Sequence, residues 1–224
     1  FDAYFQKEFG QSYQDKGLTF EQALRAKRIL RHNQLTLAGL LFFGKYPQTF
    51  KPAFTVKAVS YFGNEIESND YRNKPADLQG TIPELFEKAL KFLTSSLNYL
   101  QAGQNFNSVG KLEISDVALV ELMQNALIHR DYFKNSPVRL LVFDNRIEII
   151  SPGKLPNSLT VEDITFGNPV IRNNQIAAFG ARILPYSGLG SGIRRALAAE
   201  PNIRFINDSE GEQFTVIIPR PPKQ

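Results

Sequence analysis

Two runs rich in aliphatic residues, Val138–Phe143 and Arg146–Ile150, are separated by Asp144 and Asn145 alone. A two-residue connection with Asp-Asn chemistry predicts an antiparallel hairpin, because parallel neighbours need a far longer crossover. In the second run Ile147 and Ile149 alternate with Arg146 and Glu148, so one face is apolar and the other polar. The flanking sequence offers elements to cover the apolar face. Ser115 and Asp116 suit the start of a helix running to about Arg130, and a loop opens at Ser151-Pro152-Gly153. A helix is expected from about Asn173 to Arg182, and another, Ile193–Ala199, follows the glycine-rich stretch 188–192. Ile203–Ile206 and Phe214–Ile218 read as closing strands around the turn-like Asp208–Gly211. The order helix, β, β, long loop, glycine-rich turn, helix, β, β predicts an α+β fold, a two-layer α/β sandwich with helices on one sheet face.

The preceding residues read as a smaller mixed α/β part. Thr19 with Gln22 forms a capping-box pattern opening a helix to about Arg31, and Thr36 can cap a short apolar helix, Leu37–Phe43, stopped by Gly44 and Pro47. Phe54–Phe62 reads as a strand. Thr81 with Glu84 makes a second capping box, and Leu85, Phe86, Ala89, Leu90, Leu93 and Leu97 follow the spacing of a helix with one buried face. The polar stretch Gln101–Lys111 then reads as a linker, which divides the chain into 1–105 and 106–224.

Composition narrows the function classes. Of 224 residues, 42% are hydrophobic and 21% charged, which excludes a disordered chain. The most apolar stretch, Leu35–Phe43, is about half the length a bilayer span requires. No membrane partner is expected, and with no basic-then-apolar leader the expected location is cytoplasmic. Cysteine is absent and the two histidines, His32 and His129, lie far apart, so thiolate and His-based metal sites are not expected. The net charge of +4 permits phosphate ligands without demanding them. The chain opens on Phe1 and its one Met is Met123, so it reads as a piece of a longer protein.

Four constellations carry candidate chemistry. Glu121 and Asn125 lie one helical turn apart, where a carboxylate can orient a water and a carboxamide oxygen can ligate Mg²⁺. The alternative is that both are merely the solvated side, opposite the stripe of Leu119, Met123, Ala126 and Leu127. Gly188, Gly190 and Gly192 lead into a helix with Arg194 and Arg195 close by; such a turn can bring backbone N–H groups to phosphate oxygens, or can simply be a tight turn. Neither a dinucleotide fingerprint nor a P-loop is present. His129-Arg130-Asp131 is not a kinase catalytic loop, since Ser136 stands where Asn is required; it reads as a polar helix end. Arg172 and Asn173 can contact a phosphate or cap a helix.

In this order the motifs resemble the GHKL ATPase family, which includes gyrase and sensor histidine kinases. The phrases Glu121–Tyr132 (ELMQNALIHRDY), Arg146–Pro156 (RIEIISPGKLP) and Gly190–Ile193 (GSGI) look like the GHKL-type domain of bacterial transcriptional regulators often labelled helicase-related. Leu35–Pro47 (LTLAGLLFFGKYP) is similar to the segment preceding that domain, which usually follows a Schlafen/AlbA-type DNA-binding domain. The resemblance implies a sandwich of GHKL (Bergerat) type and an ATP-binding sensor module, with Mg²⁺-dependent ATP hydrolysis where the site turns over. It also implies a homodimer and DNA contacts through domains outside this chain. By the same resemblance Glu121 corresponds to the water-activating carboxylate and Asn125 to the Mg²⁺ ligand. Gly153 matches the first glycine of the adenine-side box, and Gly188, Gly190 and Gly192 match the phosphate-side glycines. Arg172 and Asn173 fall within the stretch Pro156–Ser187, which takes the place of the nucleotide lid. Two positions depart from the pattern: Ser151 stands where the ATPases carry Asp, and Leu155 where they carry a second glycine. A hydroxyl accepts the adenine amino hydrogen bond without charge assistance. These departures motivate the alternative of a degenerate dimerisation or interaction module that keeps the fold without the nucleotide.

Overall fold

The computed structural model describes residues 1–66, 70–100, 110–168, 170–186, 188 and 190–222. Its first elements are α1 (Asp2–Phe9), α2 (Phe20–Ala26), β1 (Leu30–Arg31), β2 (Gln34–Leu35), α3 (Leu37–Phe43), α4 (Pro47–Phe50), β3 (Val56–Tyr61), β4 (Tyr71–Asn73) and α5 (Ile82–Ser96). There follow β5 (Tyr99–Leu100), β6 (Lys111–Leu112), α6 (Asp116–His129), β7 (Val138–Val142), β8 (Arg146–Pro152) and α7 (Val161–Phe166). The chain closes with α8 (Asn174–Ile183), α9 (Gly192–Ala199), β9 (Arg204–Asp208) and β10 (Gln213–Pro219).

The expected hairpin forms, with Leu140 opposite Ile149 and Val142 opposite Ile147. It sits at the centre of a six-stranded sheet ordered β4–β3–β7–β8–β10–β9. β3 and β7 run parallel, Val56 opposite Val138, while the other neighbours are antiparallel. Val56, Ala58, Val138, Leu140, Ile147 and Ile149 all belong to the main core, on the sheet face against which α5 and α6 pack. Burying each such aliphatic side chain contributes about 1.5–3 kcal/mol. A smaller cluster of Leu141, Phe143 and Ile150, packed by Val59 and Tyr61, lies on the opposite face. The mixed α+β architecture is therefore the one expected. No helix among the described residues is long and apolar enough to cross a membrane.

Local signals set most element starts. The Thr19 amide donates to Gln22 Oε1 (2.8 Å) and the Gln22 amide to Thr19 Oγ1 (3.2 Å), closing the capping box of α2. Thr36 Oγ1 accepts from the Gly39 amide (3.0 Å) at the start of α3. The Glu84 carboxylate accepts from both the amide and the hydroxyl of Thr81, and these bonds hold its pKa below the usual value.

Three expectations need correction. The helix opened by Thr19 stops at Ala26 rather than near Arg31, because Arg28 takes a positive φ (55°) and the chain turns into the β1–β2 hairpin. That hairpin reverses through His32 (φ 47°) and Asn33 (φ 61°), the pair of left-handed residues a tight two-residue turn requires. β8 continues through Ser151 and Pro152, paired with Phe214 and Gln213, where a loop was expected to begin. The stretch Pro156–Ser187 holds the helix expected from Asn173, α8, whose Ile176, Ala177 and Phe179 belong to the core, and also an unexpected one, α7, capped by Thr160 with Asp163. Within the expected linker, residues 101–109 and the boundary at 105 fall outside the described residues; on its flanks Leu100 pairs with Lys111.

Candidate functional site

α6 is wrapped by the sheet, α5, α8 and α9, so it is buried nearly all round and even Glu121 and Gln124 are inside. The reading of Glu121 as a solvated residue is thereby corrected. A buried carboxylate needs partners, and Glu121 has them. Arg195 of α9 donates to Oε1 through Nε (2.8 Å) and Nη2, and Gln124 Nε2 donates to Oε2 (2.7 Å). Asn125, one turn on, is partly buried, and its side chain makes no hydrogen bond to the described residues.

The glycine-rich turn comes down on this rung. Gly188 and Gly190 hold φ of 68° and 72°, and Gly192 opens α9. A Cβ on Gly192 would lie 2.5 Å from Glu121 Oε2 and 3.3 Å from Asn125 Nδ2. The glycine is therefore what allows α9 to approach the acid–amide pair. No side chain caps the start of α9, so the N–H groups of its first turn stay available. α7 closes over the turn: a Cβ on its C-cap, Gly167, would meet Arg194 Cδ at 3.1 Å and the Gly190 carbonyl oxygen at 3.4 Å.

The other end is built where β8 leaves the sheet. Ser151 is buried and its hydroxyl donates to the Ala126 carbonyl (3.0 Å), leaving the oxygen's lone pairs as acceptors. Gly153 takes φ 96°, and its amide donates to the Glu212 carbonyl (2.7 Å). A Cβ there would sit 2.4 Å from Asp131 Cβ and 2.6 Å from Arg172 Nη1. Arg172 spans this corner, pairing with Asp131 (3.1 Å) and donating to the Lys154 carbonyl, while its buried Nε has no partner among the described residues.

Between the two ends lies a cavity of about 130 Å³. Glu121, Asn125, Ser151, Gly153, Arg172, Gly188, Gly190 and Gly192 all line it. Asn173 does not: its Nδ2 donates to the carbonyls of Ile128 and Arg130 (both 2.8 Å), so it terminates α6 instead. Most of the remaining wall is apolar, including Leu122, Ile149, Leu155, Ile164 and Phe214. A dry cavity of about 150 Å³ accommodates benzene, so this space is of the size of a single planar ring. His129 also reaches the wall, with Nε2 3.0 Å from the Tyr186 hydroxyl. Burial, reinforced by the positive charge of Arg172, lowers its pKa to about 4, so the imidazole is neutral at pH 7. Burial and then Glu121 raise that of Tyr186. Arg130 is structural: its Nη2 donates to the Lys134 and Ser136 carbonyls beyond the helix end. Among the described residues no three His, Asp or Glu side chains are grouped to hold a metal ion.

Sequence reasoning placed Arg195 near the glycines but missed its pairing with Glu121, and it missed Gln124 and Tyr186. Four polar side chains of α6 (Glu121, Gln124, Asn125 and His129) point to a polar pocket rather than a wet face, since beyond Asp116 the helix is otherwise apolar.

Fold and site together define a two-layer α+β domain whose cavity is walled by a buried acid–amide helix and a glycine-rich turn. Residues 135–218 match the family model described as "Putative ATP-dependent DNA helicase recG C-terminal", so this span is similar to an ATPase-like domain of a helicase-related family. The match takes in the hairpin, the α7 region, the glycine turn and the closing strands, and begins after Glu121 and Asn125. Among solved structures the chain is similar to the DIP2311 protein from Corynebacterium diphtheriae, with a TM-score of 0.69 and 20% identity over 98% of this chain. The chain spans 44% of that structure's length. No curated protein sequence matches it.

Proposed function

We propose that the cavity is the site of a nucleoside triphosphate in a GHKL-like sensor module of a bacterial transcriptional regulator, cytoplasmic and homodimeric, with DNA contacted by domains outside this chain. One observation carries the reading: Gly192 abuts both Glu121 and Asn125, so an acid, an amide and uncapped helix N–H groups face one space. Asn125, whose carboxamide is unengaged, would hold a Mg²⁺ ion, and the glycine turn would hold the phosphates. Bound Mg²⁺ would neutralise charge on those oxygens. The chain's own residues do the rest. The first-turn amides of α9 hold the phosphates, and Glu121, once freed of Arg195, orients a water. Ser151 accepts a hydrogen bond from the base, which enters the apolar end beside Gly153 after α7 lifts.

Thermal-shift and calorimetric titrations with ATP, GTP and ADP, with and without Mg²⁺, test this. The expected result is saturable, Mg²⁺-dependent binding of ATP that is lost in Asn125→Ala, with Glu121→Gln keeping binding and losing any turnover. No response to any nucleotide at millimolar concentration refutes it.

The second reading, an interaction module without nucleotide, is favoured by the smallness of the cavity and by the full engagement of the Glu121 carboxylate. It expects dimerisation indifferent to nucleotide, and a monomer at all concentrations in sedimentation velocity would eliminate it.

A further inference from the structure

The pairing of Glu121 with Arg195 is unequal. Glu121 is 8% exposed in its side chain, lines the cavity and is fixed from the other side by Gln124, whereas Arg195 is 42% exposed. Its Nη1 also donates to Ser191 Oγ (2.9 Å), a residue of the glycine turn itself. If one partner moves, it is the arginine, because removing a carboxylate from its buried seat costs more than swinging a half-exposed guanidinium.

Arg195 is one turn into α9, on the helix whose uncapped N-terminus faces the cavity. Its bonds to Ser191 and Glu121 keep the guanidinium beside the first turn of α9, where a phosphate on those amides would sit. Guanidinium prefers bidentate pairing with such a group, which carries more charge than a carboxylate. We infer that Arg195 is a latch: it holds Glu121 while the cavity is empty and transfers to the terminal phosphate of a bound triphosphate, freeing the carboxylate. This rests on the nucleotide reading above and extends it to a choice between ligands. A diphosphate does not reach the arginine, so the latch stays shut and the site distinguishes tri- from diphosphate.

The test is calorimetry of Mg·ATP and Mg·ADP binding to the whole chain, as wild type, Arg195→Gln and Arg195→Lys. Wild type is expected to prefer ATP. Arg195→Gln should weaken ATP binding tenfold or more while ADP binding changes less than twofold, and Arg195→Lys should restore part of the preference. If Arg195→Gln changes both affinities equally, or neither, the residue is only a structural tie between α6 and α9 and the inference is overturned by itself. Failure of wild type to bind either nucleotide overturns the nucleotide reading and the latch together.

Discussion

Gly192→Ala separates two physical effects of opposite sign. Replacing a helical glycine by alanine stabilises by up to about 1 kcal/mol through backbone entropy, and Gly192 has no positive φ to oppose the change. Yet the new Cβ would stand 2.5 Å from Glu121 Oε2, where ordinary contact begins at 3.4 Å. The carboxylate cannot retreat freely, because Gln124 holds that oxygen and Arg195 the other. Breaking one hydrogen bond to this buried charge costs about 1.5–3 kcal/mol. The net expectation is a destabilisation of about 0.5–2 kcal/mol. Urea unfolding monitored by fluorescence and circular dichroism, with m unchanged, measures it. If Gly192→Ala is as stable as wild type or more so, the close approach of α9 to the acid–amide rung is wrong.

Three further outcomes are expected. Gly153→Ala combines a positive φ with a clash against Asp131 and Arg172, and should cost about 2–4 kcal/mol in the same assay; a loss below about 0.5 kcal/mol would contradict the geometry. For His129 the folded pKa of about 4 lies below its ordinary 6.5, so between those values the unfolded chain binds more protons. Stability is therefore lost as pH falls from 6.5 towards 4, by up to about 3 kcal/mol, and the corresponding slope should vanish in His129→Asn; matching profiles would refute the assignment. Arg220 and Glu113 form an ion pair with side chains 2% and 3% exposed. Glu113→Gln, which strands the arginine, should cost about 3–5 kcal/mol, and the double replacement Glu113→Leu with Arg220→Met much less, as read by denaturant midpoints.

The parts of this molecule visible in its sequence are those decided locally. The two-residue turn at Asp144–Asn145, the capping pairs at Thr19 and Thr81, and the glycines before α9 each specify geometry within a few residues. What stayed hidden depends on distant packing. Glu121 is buried because α9, more than sixty residues later, lies across it, and no spacing within α6 announces that. Asn173 sits at a helix start, as expected, yet spends its amide on the far end of another helix. The parallel seat of β3 beside β7 likewise follows from the whole core rather than from Phe54–Phe62. α7 is different: its Thr160–Asp163 capping pair is a local signal that specifies the helix start from the sequence itself.

The parallel β3–β7 pair has a consequence for biogenesis. Val56 must find Val138, 82 positions later. At about 5–20 residues per second, the ribosome delivers that partner roughly 4–16 s after the first strand emerges. Throughout that interval the inward row of Val56 and Ala58 has no sheet to join beyond the short β4 edge. A translational pause between the two strands would hold the nascent chain in its most adhesive state, so the codons for residues 62–137 are where synthesis speed bears most directly on yield.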